Sequence, residues 1–158
     1  MAYHDELLDQ AKELVHKGNP TQADLRRAVS SAYYSLFHLL IFEACLNWRN
    51  ASSRPGLARM FDHGVMKKVS RKVADPGTLP YAREDPVVVD KLRSFARLFV
   101  QLQEQRHEAD YNIKDAWTLS QSRKEMLAAL RAFVTWQEIR AEKIAQDYLV
   151  SLLIRPRD

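Results

Sequence analysis

Very little in this chain bends or staples the backbone. Among 158 residues there are four glycines, six prolines and one cysteine, Cys45. A lone cysteine excludes an internal disulfide, and its apolar setting reads as a buried, inert thiol in a reducing cytoplasm. So few turn formers, with 46% apolar and 28% charged residues, argue against a β-sandwich and against disorder. No segment sustains the alternating polarity of a strand. The longest apolar stretch, Leu36–Leu46, is interrupted by His38 and Glu43 and falls short of the roughly 20 residues that span a bilayer. No membrane contact is therefore expected. No basic, apolar and small-residue leader is read at the start, so the expectation is a cytoplasmic protein.

Familiar ligand signatures are missing too. The five histidines, at 4, 16, 38, 63 and 107, form no H-x-x-x-H or H-E-x-x-H pair, so no metal site is expected. Neither G-x-G-x-x-G nor a Walker loop is present to cradle a nucleotide in the usual ways. "DYNIKDAW" starts like a calcium loop, but Lys114 and Asp115 fall where a ligand and the turn glycine belong. No cofactor is expected.

What remains is helical periodicity and a modest positive charge. The length suits one domain, residues 1–158. Leu7, Leu8, Ala11, Leu14 and Val15 predict a first helix over residues 4–17, ended by Gly18-Asn19-Pro20. A second, over 22–48, carries Leu25, Ala28, Val29, Ala32, Leu36, Leu39 and Leu40, with Phe37, Ile41 and Phe42 widening the apolar face. Such a helix belongs at the centre. Residues 50–56 break the pattern, and Asp62 is placed to cap a third helix ending near Ala74. Residues 75–86, with three prolines and a glycine, read as a loop. Pro86 suits the first turn of a fourth helix that reaches Tyr111. Thr118 and Gln121 have capping-box spacing for a fifth, which runs to Leu153 or folds back near Ala141. The fold expected is an all-α, up-and-down bundle of about five helices.

Net charge is +4, with positive residues concentrated in "MKKVSRKV" (Met66–Val73). There Val65, Val69 and Val73 repeat every four positions while Lys67, Lys68, Arg71 and Lys72 take other faces. A solvated helix face and a phosphate-binding strip both fit this pattern.

The fourth helix carries the main anomaly. Its apolar stripe, Val88, Leu92, Phe95, Phe99, Leu102, continues in register onto Arg106 and then Asp110. A guanidinium on the buried side is costly unless paired, and Asp110 is one turn away. A structural ion pair near the helix end, with Asn112 as a left-handed cap, is one reading. The second helix supplies another. Arg27, Ser31, Tyr34 and His38 form a polar file at steps of four, three and four. If that file faces the fourth helix, Arg27, Tyr34, His38, Arg106 and Asp110 line one polar seam. Arg106 with His38 and Tyr34 would then make an anion-binding pocket.

Three segments carry a resemblance. "LRRAVSSAYYSLFHLLIFEA" (Leu25–Ala44) resembles the R-x-A-x-x-x-A-Y-Y-A-x-F-H segment of prokaryotic HEPN domains. "DHGVMKKV" (Asp62–Val69) is similar to a His-Gly-Val helix start of one HEPN subgroup, and "LQEQRHEADYN" (Leu102–Asn112) to its R-x-x-A-D-Y motif. The resemblance implies an α-helical up-and-down bundle, often homodimeric; for this chain a dimer through the fourth helix's end or the long fifth helix is expected. Metal-independent RNases, toxins paired with minimal nucleotidyltransferase antitoxins, and non-catalytic nucleotide- or RNA-associated modules all occur among HEPN proteins. The RNase members carry Arg, four to six intervening residues, then His. After Arg106 those positions hold Tyr111, Asn112 and Ile113. The expectation that follows is a non-catalytic or weakly active module. It binds a nucleotide, RNA or a nucleotidyltransferase partner in a toxin–antitoxin-like or defence setting. Its binding residues are Arg27, Tyr34, His38, Arg106, Asp110 and Tyr111. The alternative is an endoribonuclease in which Arg106 stabilises the phosphorane and His38 or His107 transfers the proton.

Overall fold

The computed structural model describes residues 1–77 and 81–155. Among them lie seven α-helices, one short 3-10 turn and no strand. The chain is an all-α helical bundle. The helices are α1 (Tyr3–His16), α2 (Gln22–Leu46), α3 (Arg54–Ala58), α4 (His63–Ala74), α5 (Pro86–Tyr111), α6 (Leu119–Ile139) and α7 (Lys143–Ser151). The expected loop over 75–86 lies partly outside the described residues, as do the last three residues of the expected domain.

Local chemistry sets most of the boundaries. Asn19, in the Gly-Asn-Pro break after α1, is the one non-glycine with a left-handed backbone among the described residues, at φ 52°. Thr21 and Asp24 then close a reciprocal capping box at the start of α2: Asp24 N–H donates to Thr21 Oγ1 (3.1 Å) and Thr21 N–H to Asp24 Oδ2 (2.9 Å). The bond from the Thr21 amide first, and next those from the Lys17 ammonium at 3.1 and 3.2 Å, hold the Asp24 carboxyl below its ordinary range. Asp62 caps α4 by accepting from Val65 N–H at 3.0 Å. Thr118 and Gln121 form the box expected at α6, with bonds of 2.9 and 3.1 Å.

Two expectations need correcting. The single helix expected from Thr118 to Leu153 is interrupted at residues 140–142, where the chain turns extended at Glu142 (φ −73°, ψ 145°). This matches the alternative break near Ala141. A new helix lets Ile144, Ala145, Tyr148 and Leu149 bury their own face, and Gln146 closes the joint by donating to the Arg140 carbonyl at 2.6 Å. Arg140 in turn makes a two-pronged pair with buried Glu43, at 3.0 and 3.2 Å. Phe42, expected on the apolar face of α2, is 41% exposed.

The chain divides into two compact units. The first comprises Met1–His38 and Leu98–Phe133, the second Leu39–Arg97 and Val134–Asp158, so α2, α5 and α6 contribute to both. In the first unit Leu25, Val29, Ala109 and Trp117 form a buried cluster, with Leu119 packed against it. Gln22 fixes the approach to α6 through a paired amide contact, donating to the Trp117 carbonyl (2.7 Å) and accepting from its N–H (2.9 Å). In the second unit the rings of Phe95, Trp136 and Tyr148 meet at centroid separations of 5.1 to 6.4 Å. There Tyr148 shares a buried 2.6 Å hydrogen bond with Ser70.

Among the described residues α2 alone is long and apolar enough to cross a membrane, with a mean hydropathy of 1.3 over its best window. Of that window 78% is buried within the protein, and burial on several sides accounts for the composition.

Candidate functional site

The apolar stripe of α5 behaves as its spacing demands. Leu92, Phe95, Phe99 and Leu102 are wholly buried, and Arg106 follows them inward with only 12% of its side chain exposed. Its guanidinium lies in the first unit over two rings of α2, 5.2 Å from the centroid of Tyr33 and 5.8 Å from that of Tyr34. Tyr33 is fully buried and leans on Phe99 at 5.7 Å. Ring faces attract a cation, but they leave the in-plane N–H donors of a guanidinium unanswered. Asp110 Oδ2, one turn on, stands 3.7 Å from Nη1, beyond the reach of a charge-assisted hydrogen bond. The Nε–H is buried with no hydrogen-bond partner.

A second arginine locks the same junction. Arg26 Nη1 donates to the carbonyls of Ala109 and Asn112, both at 2.8 Å, and Nη2 to that of Asp115 at 2.7 Å. These carbonyls include ones that the end of α5 leaves without helical partners, and a cation there complements the helix dipole. Asn112 is therefore not the left-handed cap that its position suggested. Arg26 takes over the task from α2. The two segments interlock: an arginine from each settles on the other.

The polar file of α2 divides among its neighbours. Ser31 donates to Gln10 of α1 at 2.7 Å, and His38 packs edge-on against Tyr3 of α1 at 4.7 Å and against Phe37 at 5.2 Å. Tyr34 bridges the two sides, 6.3 Å from His38 and in contact with Arg106. Arg27 is exposed to solvent. The structure thus brings Tyr34, Arg106 and Asp110 together, with His38 on the far side of Tyr34's ring contacts, while Arg27 points away from burial. His107 is exposed beside Tyr111, itself 66% exposed, their rings 4.9 Å apart.

Reading the periodicity alone misses Tyr33 and Arg26. Both are nonetheless in the resembling segment: Arg26 begins its R-x-A spacing and Tyr33 is the first of its paired tyrosines. Taking Arg27 instead follows the spacing of the polar file, which cannot say which neighbouring helix a residue meets.

Between α5 and α6, Gln101 donates to Glu125 Oε2 at 3.1 Å. Burial, only partly offset by that bond, raises the Glu125 carboxyl above its ordinary range. Among the described residues no group of three or more His, Cys, Asp or Glu side chains is gathered as a metal site. The seam offers instead a shielded cation with one N–H, at Nε, unanswered, beside a carboxylate 3.7 Å away. Comparison of the chain with family models, with curated proteins and with solved structures finds no match in any of the three.

Proposed function

We propose that this chain is a HEPN-like binding module, non-catalytic or weakly active, that receives a phosphate of a nucleotide or RNA at Arg106. One observation carries the reading: a shielded guanidinium whose Nε–H lacks a partner and whose nearest carboxylate is 3.7 Å away. A purely structural arginine buried to this degree needs its donors answered. A phosphate oxygen taking the place of Asp110, whose side chain is 29% exposed, answers them. Tyr34, half-buried at the same guanidinium, offers its ring to a base.

Binding without cleavage is supported by the two histidines. His107 turns to solvent beside Tyr111, and His38 is wedged among Tyr3, Phe37 and Tyr34. In this reading the module is homodimeric and works beside a nucleotidyltransferase partner in a toxin–antitoxin-like or defence setting. Dimerisation is supported by Leu127 of α6, a large apolar side chain of the first unit that is 47% exposed.

The test is fluorescence anisotropy with a labelled octauridylate and with AMP, in EDTA. Wild type binds; Arg106→Met weakens binding at least about tenfold, and Asp110→Asn tightens it. Equal affinity in all three proteins removes the reading. RNA cleavage in EDTA that is lost in Arg106→Met and His38→Ala establishes the endoribonuclease instead.

A further inference from the structure

The basic strip of α4 has no part in the Arg106 seam, yet it borders a cavity of the second unit. That cavity, about 510 Å³, is lined by residues of α4, by Tyr81 and by residues of α7 together with Ile154. Its volume falls within the range of small-molecule sites. The walls are mostly apolar, with Val65, Val69 and Val73 from successive turns of α4 and Ile154 beyond α7.

What is polar in the lining is neutral, matched or at the rim. Tyr148 shares its hydroxyl with Ser70 at 2.6 Å, and burial pushes that phenol well above its ordinary range, so it stays neutral. Tyr81 turns its ring to Arg93, 5.2 Å away, and burial raises its phenol too. Ser151 donates to the Tyr148 carbonyl at 2.6 Å. Asp147, the one carboxylate of the lining, is matched by Lys143 at 2.6 Å. Lys72 is exposed and held by an interaction of its own, and Lys68 is exposed as well. A lysine on such a wall lays its methylene stem along the apolar surface and keeps its ammonium in water. The interior therefore offers apolar surface to cover and no charge to pair. A charged group carried inside would lose its water without gaining a partner.

We infer that this cavity binds an uncharged aliphatic molecule, its chain laid against Val65, Val69, Val73 and Ile154. The two repeats of α4 then have separate tasks. The valine repeat builds the wall, and the lysine repeat, one position earlier, keeps the rim wetted.

Isothermal titration of the full chain with 1-hexanol, 1-octanol, 1,8-octanediol and octanoate tests this. One saturable site per chain is expected for 1-octanol, about fifteenfold tighter than for 1-hexanol, at about fourfold for each of two buried methylenes. The diol, with a second hydroxyl to bury among valines, binds at least about tenfold more weakly than 1-octanol. Octanoate, with the same body and an anionic head, binds no more tightly than 1-octanol. Val69→Trp, which fills the chamber, weakens 1-octanol at least about tenfold. Val69→Thr, close to valine in shape but with a hydroxyl on the wall, weakens it in the same direction and keeps the test open should the tryptophan variant fail to fold. No saturable binding of 1-octanol, equal affinity for 1-hexanol or the diol, tighter binding of octanoate, or unchanged affinity in the folded Val69 variants overturns the inference.

Discussion

Arg93 and Arg106 sit on the same helix and are both largely shielded, yet their surroundings are opposite. Arg93, in the second unit, donates to the carbonyls of Val73 and Asp75 at 2.8 and 2.7 Å and lies over the ring of Tyr81 at 5.2 Å. It closes the end of α4 as Arg26 closes the end of α5. Arg106, in the first unit, has the same stacking distance to Tyr33 but a carboxylate at 3.7 Å and a buried, unpartnered Nε–H. A buried cation can be answered fully by the chain or left partly open. The first kind stabilises a fold; the second is poised for an outside anion.

Substitutions sharpen that contrast. Arg93→Met leaves the buried Val73 carbonyl and the partly shielded Asp75 carbonyl without this donor, and stability should fall by about 3 kcal/mol, read from the urea midpoint at unchanged slope. Arg26→Met removes three charge-assisted bonds from a half-buried position, with an expected loss of about 2 kcal/mol in the same assay. Glu125→Gln should give a smaller effect of the opposite sign. Because burial raises this carboxyl in the folded state, its ionisation opposes folding. The penalty is absent below the ordinary carboxylate value of 4.5 and grows as pH rises through the folded pKa. The variant's advantage in thermal unfolding should therefore appear above that pH and vanish beneath it. Smallest of all, Arg106→Met should change stability by less than about 1 kcal/mol, since a poorly satisfied buried charge gives way to an apolar chain of similar length. A loss for Arg106→Met as large as that for Arg93→Met would erase the distinction between the two arginines.

Much of this was legible in residue spacing. The stripe from Leu92 to Arg106 predicts a shielded guanidinium, and Asp62 and Thr118 mark helix starts that the structure contains. These are local properties: a 3.6-residue period and a cap three residues before its amide. The polar file of α2 was legible as a file but not in its destination. Ser31 and His38 meet α1 while Tyr34 meets α5, because residues along one line of a helix diverge toward whichever neighbour lies nearest.

By itself, then, the amino-acid order determined the helices, their apolar faces and the exceptional charge in the register of α5, since each follows from interactions within a few residues. Tertiary structure alone decided that Arg26, not Arg27, ends α5, that Tyr33 joins Tyr34 against Arg106, and that Lys68 and Lys72 border a chamber. Those outcomes depend on packing between segments up to 89 residues apart in the chain, where a rotation of one residue about a helix axis, about 100°, changes which side chain arrives.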